Sequence, residues 1–571
     1  MADVALPGAA DLELAERRPW VRHYDPRVPW SIDYPSLPLH RLLEQSATGH
    51  PSHTALLYFG QRISYRQLDD LANRFANALL GLGLRKGDRV ALLLPNTPEY
   101  VVAYYGTLKM GGIVVPTNPL YVAREIQHQL LDSGARVIVT LTKFYPLVES
   151  VRRATMLEHV IVANIKDFFP PVLRWLFTLF RERREGHDAA VKEARDTHRF
   201  PALLRRQPPS RPEVDVLPDD LALLQYTGGT TGVPKGAMLT HANLVANTLQ
   251  ACCWLPTAKE GEEVVLGALP FFHVYGMTVA MNFAVKLAAS LVLMPRFEVR
   301  EVLKLCSQHR PTIFPGVPTM YVAINNCPDT PKHDLRSITA CISGAAPLPV
   351  EVQRCFEAIT GGRLVEGYGL TEAAPVTHCN PIYGLRKAGS IGVPFPDVDA
   401  KIVDLETGEQ EMPAGEPGEL VLRGPQVMRG YWEMPQETAA VLRDGWLYTG
   451  DVAKRDENGY FYLVDRKKDV IITSGLNVYP REIDEVLYAH PKVREAVAVG
   501  VPDPYRGETI KAFVVLKPGE QATAEEMISY CREHLARYKV PSQVEFRESL
   551  PKTMVGKVLR RALLEEELRR R

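Results

Sequence analysis

The sequence has no excess of charge of either sign. Lys and Arg together number 67 in the 571 residues, Asp and Glu together also number 67, and the formal net charge is therefore +0. A protein without a long-range field of one sign has no overall attraction for nucleic acid or for an anionic membrane surface. We therefore expect no nucleic-acid partner.

Cysteine is scarce, and its spacing excludes the common metal and disulfide patterns. The eight cysteines are scattered without a Cys-x-x-Cys pair or the Cys/His spacing of a zinc site. Reduced thiols in a cytoplasmic protein are the expected state. The first twenty residues carry acidic side chains and lack the apolar segment of a signal peptide, which agrees with a cytoplasmic location.

Long hydrophobic runs are also missing. Residues 264–285 carry no charge, but Pro270, His273, Tyr275 and Asn282 interrupt them. A membrane-spanning helix needs about 20 mostly apolar residues. We expect a buried strand, a turn and a buried helix here, and no membrane-spanning helix.

Helix and strand patterns alternate between about residues 60 and 140. The expected elements, in order, are a helix behind the capping box of Ser64 and Gln67, strands at 89–94 and 113–116, a helix near 122–133 and a strand at 136–140. Such alternation is typical of parallel sheets covered by helices. The sequence thus predicts an α/β fold.

The pattern restarts as a smaller α+β unit after Asp465. The expected elements are a helix behind Pro480 at 481–489, strands at 493–500 and 510–516, and a helix opened by a capping box at Thr523 and Glu526. Charges cluster at 465–469 between two apolar strands. We therefore expect a large N-terminal domain of helix-covered sheets over residues 1–465 and a small C-terminal domain over residues 466–571.

The most distinctive run is YTGGTTGVPKG at 226–236, directly after the strand-like LALLQ at 221–225. Glycines let backbone N–H groups converge on one point, while threonine hydroxyls and a lysine add donors and charge. This is the chemistry of a polyphosphate-binding loop, although the run fits neither the Walker pattern nor G-x-G-x-x-G. A flexible surface turn is the alternative, but such turns rarely need three threonines and a lysine. The residues predicted to bind phosphate are Thr227, Gly228, Gly229, Thr230, Thr231, Gly232 and Lys235.

Five further motifs follow this run in a fixed order. They are YGLTE (368–372), DGWLYTGD (444–451), DRKKD (465–469), GLNVYPREID (475–484) and PKTMVGK (551–557). With this series the sequence resembles the adenylate-forming (ANL) superfamily of acyl-CoA synthetases, luciferases and non-ribosomal adenylation domains. The resemblance covers about residues 220–560, and it is greatest to the bacterial long-chain fatty acyl-CoA synthetases.

The resemblance implies a site for ATP and Mg²⁺. In the family, Asp451 accepts from the ribose hydroxyls and Arg466 contacts ribose or phosphate; a structural ion pair between the two is compatible with that role. Thr371 would contact the α-phosphate, and Glu372, with Thr227, would hold Mg²⁺, which usually takes one carboxylate plus phosphate oxygens. The residues implied at the adenosine are Gly344, Ala345, Tyr368, Gly369, Asp451 and Arg466.

The resemblance also implies two half-reactions. Lys557 would reach the carboxylate and the α-phosphate while the acyl-adenylate forms. The mobile C-terminal domain would then turn about a hinge near Lys468 so that the thiol of CoA can attack. After the turn, Gly475, Leu476 and Asn477 would help to form the pantetheine channel. His273, in PFFHVYG at 270–276, would keep water from the adenylate, with an ordinary core histidine as the alternative.

The acyl pocket is expected from residues 271–283 and 314–326. Both segments are apolar and lack the charge that an amino-acid substrate would require, which favours an alkyl or aryl tail. Met277 stands where some relatives carry a gatekeeping Trp. The expected activity is ATP-dependent activation of a long-chain fatty acid to acyl-adenylate and then to the CoA thioester. An aryl- or medium-chain acyl-CoA ligase and an acyl-AMP ligase that loads a carrier protein are the alternatives.

One segment departs from the pattern of a compact core. Residues 167–185 combine Phe168, Phe169, Trp175, Phe177 and Phe180 with four arginines. The segment is too short to span a bilayer, but aromatic and basic side chains suit an interfacial helix. It therefore predicts peripheral contact with the inner face of the cell membrane. The alternative is a helix packed on its own domain or on the partner subunit of a homodimer.

Overall fold

A computed structural model gives the fold, and it describes residues 18–227, 234–473, 476–503, 507–552 and 558–570. It has mixed α/β architecture with a large N-terminal domain and a smaller C-terminal domain, so the predicted fold class is confirmed. The strands are β1 Thr54–Tyr58, β2 Gln61–Ser64, β3 Arg89–Leu93, β4 Ile113–Pro116, β5 Val137–Leu141, β6 His159–Ala163, β7 Thr197–Arg199, β8 Leu221–Thr227, β9 Lys235–Thr240, β10 Val264–Gly267, β11 Ser290–Leu293, β12 Ala340–Ser343, β13 Arg363–Gly369, β14 Val376–Cys379, β15 Val393–Pro394, β16 Asp399–Val403, β17 Gly418–Arg423, β18 Gly430–Tyr431, β19 Leu442–Arg443, β20 Trp446–Arg455, β21 Phe461–Arg466, β22 Ile471–Thr473, β23 Leu476–Val478, β24 Val493–Asp503, β25 Gly507–Leu516 and β26 Gln543–Phe546.

Helices fill most of the connections between these strands. The α-helices are α1 His40–Gly49, α2 Tyr65–Gly81, α3 Pro98–Lys109, α4 Ala123–Ser133, α5 Tyr145–Arg152, α6 Pro171–Phe180, α7 Phe200–Arg205, α8 His241–Trp254, α9 Val274–Gly276, α10 Phe283–Lys286, α11 Val299–His309, α12 Pro318–Asn325, α13 Val350–Thr360, α14 Pro435–Val441, α15 Pro480–Ala489, α16 Ala524–His534 and α17 Arg560–Arg570. A π-helical stretch, Met277–Asn282, joins α9 to α10, and short 3₁₀ turns lie at Val21–His23, Thr330–Lys332, Thr371–Ala373, Lys467–Asp469 and Arg537–Lys539.

The first large sheet has the strand order β18-β9-β8-β4-β3-β5-β6-β7 and is parallel from β8 to β7. The alternation read from residues 60–140 is therefore confirmed. The capping box at the start of α2 is present, since the Ser64 N–H donates to Gln67 Oε1 at 2.9 Å and the Gln67 N–H donates to Ser64 Oγ at 3.3 Å. Next to the parallel strands, β8 pairs with the antiparallel β9, and the predicted phosphate loop connects these two strands in sequence.

The second sheet carries the loops that follow β12 and β13. Its two halves, β10-β11-β1-β2 and β12-β13-β14-β15, are joined by parallel bridges of Ile313 to Val265 and to Ala340. Because β12 and β13 are parallel, their carboxyl ends meet at one edge of the sheet. Ligands of open α/β sheets bind at that edge, and it is here that Gly344 and the YGLTE motif follow their strands.

A third, antiparallel sheet has the order β16-β17-β20-β19, with β21 paired to β20. The smaller C-terminal unit contains β23-β22-β25-β24 with β26 on β25, and α15 and α16 contact each other beside it. One local prediction is wrong here. Thr523 accepts the N–H of Glu526, but the Glu526 carboxylate accepts from Lys492 Nζ at 2.7 Å rather than from the cap, so the capping box is only half formed.

The uncharged stretch at 264–285 folds as expected into a strand, a turn and a buried helical segment. Within the described residues, no helix is both long and apolar enough to cross a membrane. Met277 begins the π-helical stretch and is fully buried.

Residues 167–185 form α6 and its flanks, and the aromatic side chains divide between two faces. Phe169 and Phe177 point inward, with ring centroids 5.5 Å apart. Phe177 is only 6% exposed, whereas Phe180 is 70% exposed. Phe169 and Phe177 therefore pack on the protein itself and are not part of the exposed face of this segment. The exposed face is an apolar stripe at helical spacing, formed by Val172, Trp175, Leu176, Leu179 and Phe180.

Candidate active site

Asp451 is held by two of the residues that the motifs singled out. The Tyr368 hydroxyl donates to Asp451 Oδ2 at 2.6 Å, and Arg466 Nε lies 3.1 Å from Asp451 Oδ1. The fold explains this meeting, because Asp451 on β20 and Arg466 on β21 are direct cross-strand partners. Asp451 is buried, and its charge raises the pKa of Arg466. The predicted ion pair is therefore present.

The loops after β12 and β13 approach other backbone and ring atoms closely. A Cβ on Gly344 would lie 2.9 Å from the Tyr275 ring, and a Cβ on Gly369 would lie 2.0 Å from the carbonyl oxygen of Pro375. Ala345 has φ +66°, in the left-handed region. Both glycines are therefore required by packing; Gly344 is buried, and Ala345, directly after it, is exposed.

Thr371 and Glu372 lie in the 3₁₀ turn Thr371–Ala373 directly after β13. The Tyr431 hydroxyl donates to Glu372 Oε1 at 2.7 Å, and the Met428 N–H donates to the Glu372 carbonyl at 2.8 Å. No described residue donates a hydrogen bond to Glu372 Oε2. One carboxylate oxygen is thus anchored and the other is available to a ligand.

The ends of the predicted phosphate loop meet across β8 and β9. Thr227 and Lys235 are cross-strand partners, so the loop is closed at its base. Lys235 Nζ forms an ion pair with Glu437 and lies 5.2 Å from the centroid of the Tyr431 ring. Gly228, Gly229, Thr230, Thr231 and Gly232 lie outside the described residues.

His273 precedes α9 and packs against Phe272, with ring centroids 4.7 Å apart. Burial lowers its pKa from 6.5 to about 4. The imidazole is therefore neutral at physiological pH.

An apolar cavity of about 50 Å³ lies behind β12. Its lining residues, none of them charged, are Ala251, Trp254, Leu255, Val279, Phe283, Ile313, Pro315, Ala340, Cys341, Ile342, Val376, Cys379, Ile382 and Phe395. The two segments expected to form the acyl pocket contribute Val279, Phe283 and Pro315, and α8 and β12 supply much of the rest. The cavity reaches to Ile342, two residues before Gly344, so it adjoins the polar edge of the sheet.

The remaining predicted residues belong to the C-terminal unit. Lys557 and Gly475 lie outside the described residues. Leu476 and Asn477 lie on β23, and the Leu476 side chain is exposed. Sequence reasoning missed Tyr431 and Glu437, because their importance depends on the pairing of β18 with β9, which no local pattern signals.

The residues fit a bound Mg²⁺. Among the described residues, no group of three or more His, Cys, Asp or Glu side chains is arranged to hold a metal ion. Mg²⁺ usually binds through one or two carboxylates together with substrate phosphates. The oriented Glu372 carboxylate, whose Oε2 accepts no hydrogen bond from the described residues, suits that mode.

Comparison with known proteins identifies the class of protein. The model of the AMP-binding enzyme family matches residues 43–432, and that of the AMP-binding enzyme C-terminal domain matches residues 482–557. The chain therefore belongs to the AMP-binding enzyme family. The resemblance to adenylate-forming enzymes inferred from the motifs is confirmed.

Individual relatives show which kinds of AMP-binding enzyme the chain is similar to. The chain is 48% identical over 558 residues to the long-chain-fatty-acid–CoA ligase of Bacillus subtilis, covering 97% of this chain and 99% of the relative. It is 37% identical over 511 residues to the feruloyl-CoA synthase of an Amycolatopsis species, covering 89% and 95%. The crystal structure of ATP-bound MatB from Rhodopseudomonas palustris matches with a TM-score of 0.81 at 31% identity, over 93% of this chain and 99% of that one.

Proposed function

We propose that the protein activates a long-chain fatty acid as its adenylate and then transfers the acyl group to CoA. The observation that carries this proposal is the 48% identity to the long-chain-fatty-acid–CoA ligase of Bacillus subtilis. The uncharged cavity that ends two residues from Gly344 agrees with an apolar tail, although its volume of about 50 Å³ holds only a few methylene groups of a long chain. A carboxylate at the polar sheet edge, with the methylene groups next to it in this cavity, buries apolar surface without leaving a charge unpaired. The high identity to the fatty-acid ligase of Bacillus subtilis, over nearly the full length of both chains, supports the same substrate class.

In the first half-reaction, a carboxylate oxygen of the fatty acid attacks the α-phosphorus of ATP. The bond to pyrophosphate breaks, and acyl-AMP forms. The developing negative charge would be offset by Lys557 and by the Thr371 hydroxyl, groups that act most strongly in the transition state. Bound Mg²⁺, held by Glu372 and Thr227, would neutralise phosphate charge.

The remaining nucleotide contacts orient ATP. Asp451 would accept from the ribose hydroxyls, and Arg466 would keep the Asp451 carboxylate in place while contacting ribose or phosphate. The adenine would lie against Tyr368 and the backbone of Gly369, Gly344 and Ala345. The β- and γ-phosphates would bind to the loop formed by Thr227, Gly228, Gly229, Thr230, Thr231, Gly232 and Lys235.

In the second half-reaction, the sulfur of CoA attacks the acyl carbonyl carbon, the bond to AMP breaks, and the thiol proton passes to solvent. We assign the two domains to residues 1–465 and 466–571 and the hinge to Lys468. After the turn, Gly475, Leu476 and Asn477 would line the pantetheine channel. His273, neutral and packed on Phe272, would exclude water from the adenylate between the two half-reactions.

The alternative activities differ from the proposed one in the acid that is activated or in the molecule that accepts the acyl group. An aryl-CoA ligase is supported by the 37% identity to a feruloyl-CoA synthase, which is lower than the identity to the fatty-acid ligase. A medium-chain ligase would prefer shorter acids, and an acyl-AMP ligase would release AMP with an acyl carrier protein but not with CoA. AMP release should therefore be measured with CoA and, separately, with an acyl carrier protein as the acceptor, across fatty acids of increasing length and with ferulate. Greater activity with ferulate or with a carrier protein would refute the proposal.

The stripe on α6 supports a second proposal, peripheral contact with the inner face of the membrane from a cytoplasmic protein. Val172, Trp175 and Phe180 are exposed on the stripe, with Arg174 and Arg181 beside them. An apolar face flanked by arginines binds anionic lipid surfaces. A homodimer that covers the same stripe is the alternative, and it would appear as a doubled mass in solution.

A further inference from the structure

A segment that no motif marked contacts both Lys235, at the end of the predicted phosphate loop, and Glu372. Residues 430–441 comprise β18 and α14. β18 pairs with β9, which sets Tyr431 opposite Ala237, two residues after Lys235. The segment therefore contacts both charged groups of the proposed phosphate site.

Tyr431 is fixed in place and contacts both of these groups. Its hydroxyl donates to Glu372 Oε1 at 2.7 Å, and Lys235 Nζ lies 5.2 Å from its ring centroid. The Tyr431 N–H donates to Thr438 Oγ1 at 2.9 Å, and that hydroxyl donates to the Met434 carbonyl at 2.9 Å. Tyr431 is itself buried. The ring thus has one well-defined position between the two motifs.

Glu437, on α14, supplies the counter-charge of Lys235. The two side chains form an ion pair in which Lys235 is 12% exposed and Glu437 is 47% exposed. An ion pair with a half-exposed partner contributes little free energy. A nucleotide phosphate carries more charge and forms charge-assisted hydrogen bonds with lysine. Such a phosphate can therefore replace Glu437 as the partner of Lys235.

Separate partners matter because Lys235 and Glu372 have opposite charges and contact the same ring. If neither had another partner, the two opposite charges would attract each other. An ion pair between them would withdraw the cation from the phosphate and the carboxylate from the metal. In the structure each charged group has a partner of its own, since Tyr431 donates to Glu372 and Glu437 pairs with Lys235.

We infer that Tyr431 and Glu437 prepare the phosphate site in different ways: Tyr431 is a positioning residue that fixes the Glu372 carboxylate, and Glu437 is the resting counter-ion of Lys235, which a nucleotide phosphate replaces. The inference rests on the proposed function, because it assumes that Lys235 and Glu372 face ATP and its Mg²⁺. Neither residue touches the reacting atoms in this scheme.

Calorimetric titration of the full-length chain with ATP, without fatty acid, tests the role of Glu437. Glu437→Gln removes the competitor for Lys235, so we expect ATP to bind roughly two- to fivefold more tightly. The gain should disappear in the Lys235→Ala background, as expected of two coupled residues. Glu433→Gln removes an exposed carboxylate four residues earlier and serves as the matched control. Weaker binding to Glu437→Gln, or an equal gain without Lys235, overturns the assignment.

Tyr431→Phe tests the contact with Glu372, because it removes only the hydroxyl. With Mg²⁺ present, we expect ATP affinity to fall about tenfold, the effect of losing one hydrogen bond to a charged group. With EDTA the affinity should equal that of the wild type, because Glu372 then has no metal to bind. An equal loss of ATP affinity with Mg²⁺ and with EDTA would overturn the proposed role of Tyr431. Wild-type protein that binds no ATP would refute the proposed function itself, whereas normal wild-type binding with unchanged variants refutes the positioning role alone.

Discussion

The Tyr368 hydroxyl donates a 2.6 Å hydrogen bond to Asp451 Oδ2, across 83 positions of sequence. The other oxygen of the same carboxylate pairs with Arg466. Burial, and then the Asp451 charge, raise the pKa of Tyr368, so the phenol stays protonated and remains a donor at physiological pH. Asp451 is therefore oriented by protein groups on both oxygens before any ribose binds.

Asp451→Asn should weaken ATP binding by roughly ten- to a hundredfold, because the amide turns an acceptor into a donor toward ribose and loses the Arg466 pair. Calorimetric titration with ATP measures this directly. Tyr368→Phe is the control, since it removes one orienting bond and keeps the carboxylate, and it should cost less. Unchanged affinity of the Asn variant would contradict the role of Asp451 in ribose binding.

The backbone at Lys468 is expected to be the hinge. The 3₁₀ turn Lys467–Asp469 lies at the proposed domain boundary, and two contacts cross that boundary just before Lys468: Lys467 Nζ pairs with Glu419 at 2.9 Å, and Asp465 accepts from the Arg481 N–H at 2.7 Å. A turn of the C-terminal domain must be absorbed by a few dihedrals here. Lys468→Pro fixes φ, so it should leave adenylate formation largely intact and block thioester formation.

The two half-reactions separate the hinge from other effects at Lys468. Pyrophosphate exchange measures the first step, and conversion of synthetic acyl-adenylate plus CoA measures the second. Lys468→Ala is the matched control, because it removes the charge and leaves the backbone free, and both steps should stay near wild type. Equal loss of both steps in Lys468→Pro would point to misfolding or to another hinge.

The stripe on α6 gives a prediction about membranes. Trp175, Leu179 and Phe180 replaced by Ser should reduce co-sedimentation with anionic liposomes several-fold, because the exposed apolar face supplies the insertion energy. Phe177 is left unchanged, since it is buried and its replacement would disturb the core. Turnover of soluble short-chain acids should be unaffected.

A matched control for the stripe is the pair Leu120→Ser and Val122→Ser, which removes exposed apolar side chains at another site. This pair should sediment like the wild type. If the α6 variant sediments normally, the stripe is not a membrane contact, and a change in its mass in solution would identify a subunit interface instead.

His273 gives a pH prediction. Its pKa is lowered to about 4 by burial, so the unfolded chain binds the proton more readily between pH 6.5 and 4. The stability that depends on neutral His273 is therefore complete above pH 6.5 and is lost as the pH falls toward 4. We expect this residue to account for about 2 kcal/mol of the free energy of unfolding lost between pH 7 and 5.

His273→Asn should remove that part of the pH dependence, as measured by denaturant unfolding at both pH values. The same variant should increase hydrolysis of the adenylate in the absence of CoA if His273 excludes water. A pH dependence identical to that of the wild type would show that another buried group carries the effect.

The parts of the fold that could be predicted are those set by local pattern. The capping box at Ser64 and the strand at 113–116 depend on neighbouring residues, and both were found in place. Thr523 and Glu526 also form a good local pattern, but Lys492, from a distant loop, draws the Glu526 carboxylate away. In that case, an ion pair with a residue distant in sequence replaces the local capping hydrogen bond.

The same distinction applies to the site. The ion pair of Asp451 with Arg466 could be predicted because both residues lie in motifs that are continuous runs of sequence. Tyr431 could not, because its significance comes from a two-residue strand paired with β9 and from a hydrogen bond to Glu372. The inward side of α6 was also missed, since Phe177 and Phe180 look alike in sequence and only the packing of the flanking chain separates them.

Lys557 should be required for the first half-reaction and dispensable for the second. Its ammonium would balance charge as the carboxylate meets the α-phosphate, and the loss of one such group typically costs on the order of 10²–10³ in rate. Lys557→Ala should therefore be nearly inactive in pyrophosphate exchange. It should convert synthetic acyl-adenylate and CoA to thioester at a rate near that of the wild type, because the lysine leaves with its domain.

Lys552→Ala is the matched control for Lys557, since it removes a lysine of the same PKTMVGK run that pairs with Glu495 at 2.8 Å. It should affect neither half-reaction. Near-normal pyrophosphate exchange in Lys557→Ala would show that another group neutralises the charge. Equal loss in both steps would show that Lys557 supports the fold or remains in the site throughout. The proposal that Lys557 leaves with the C-terminal domain before the thiol of CoA enters would then be wrong.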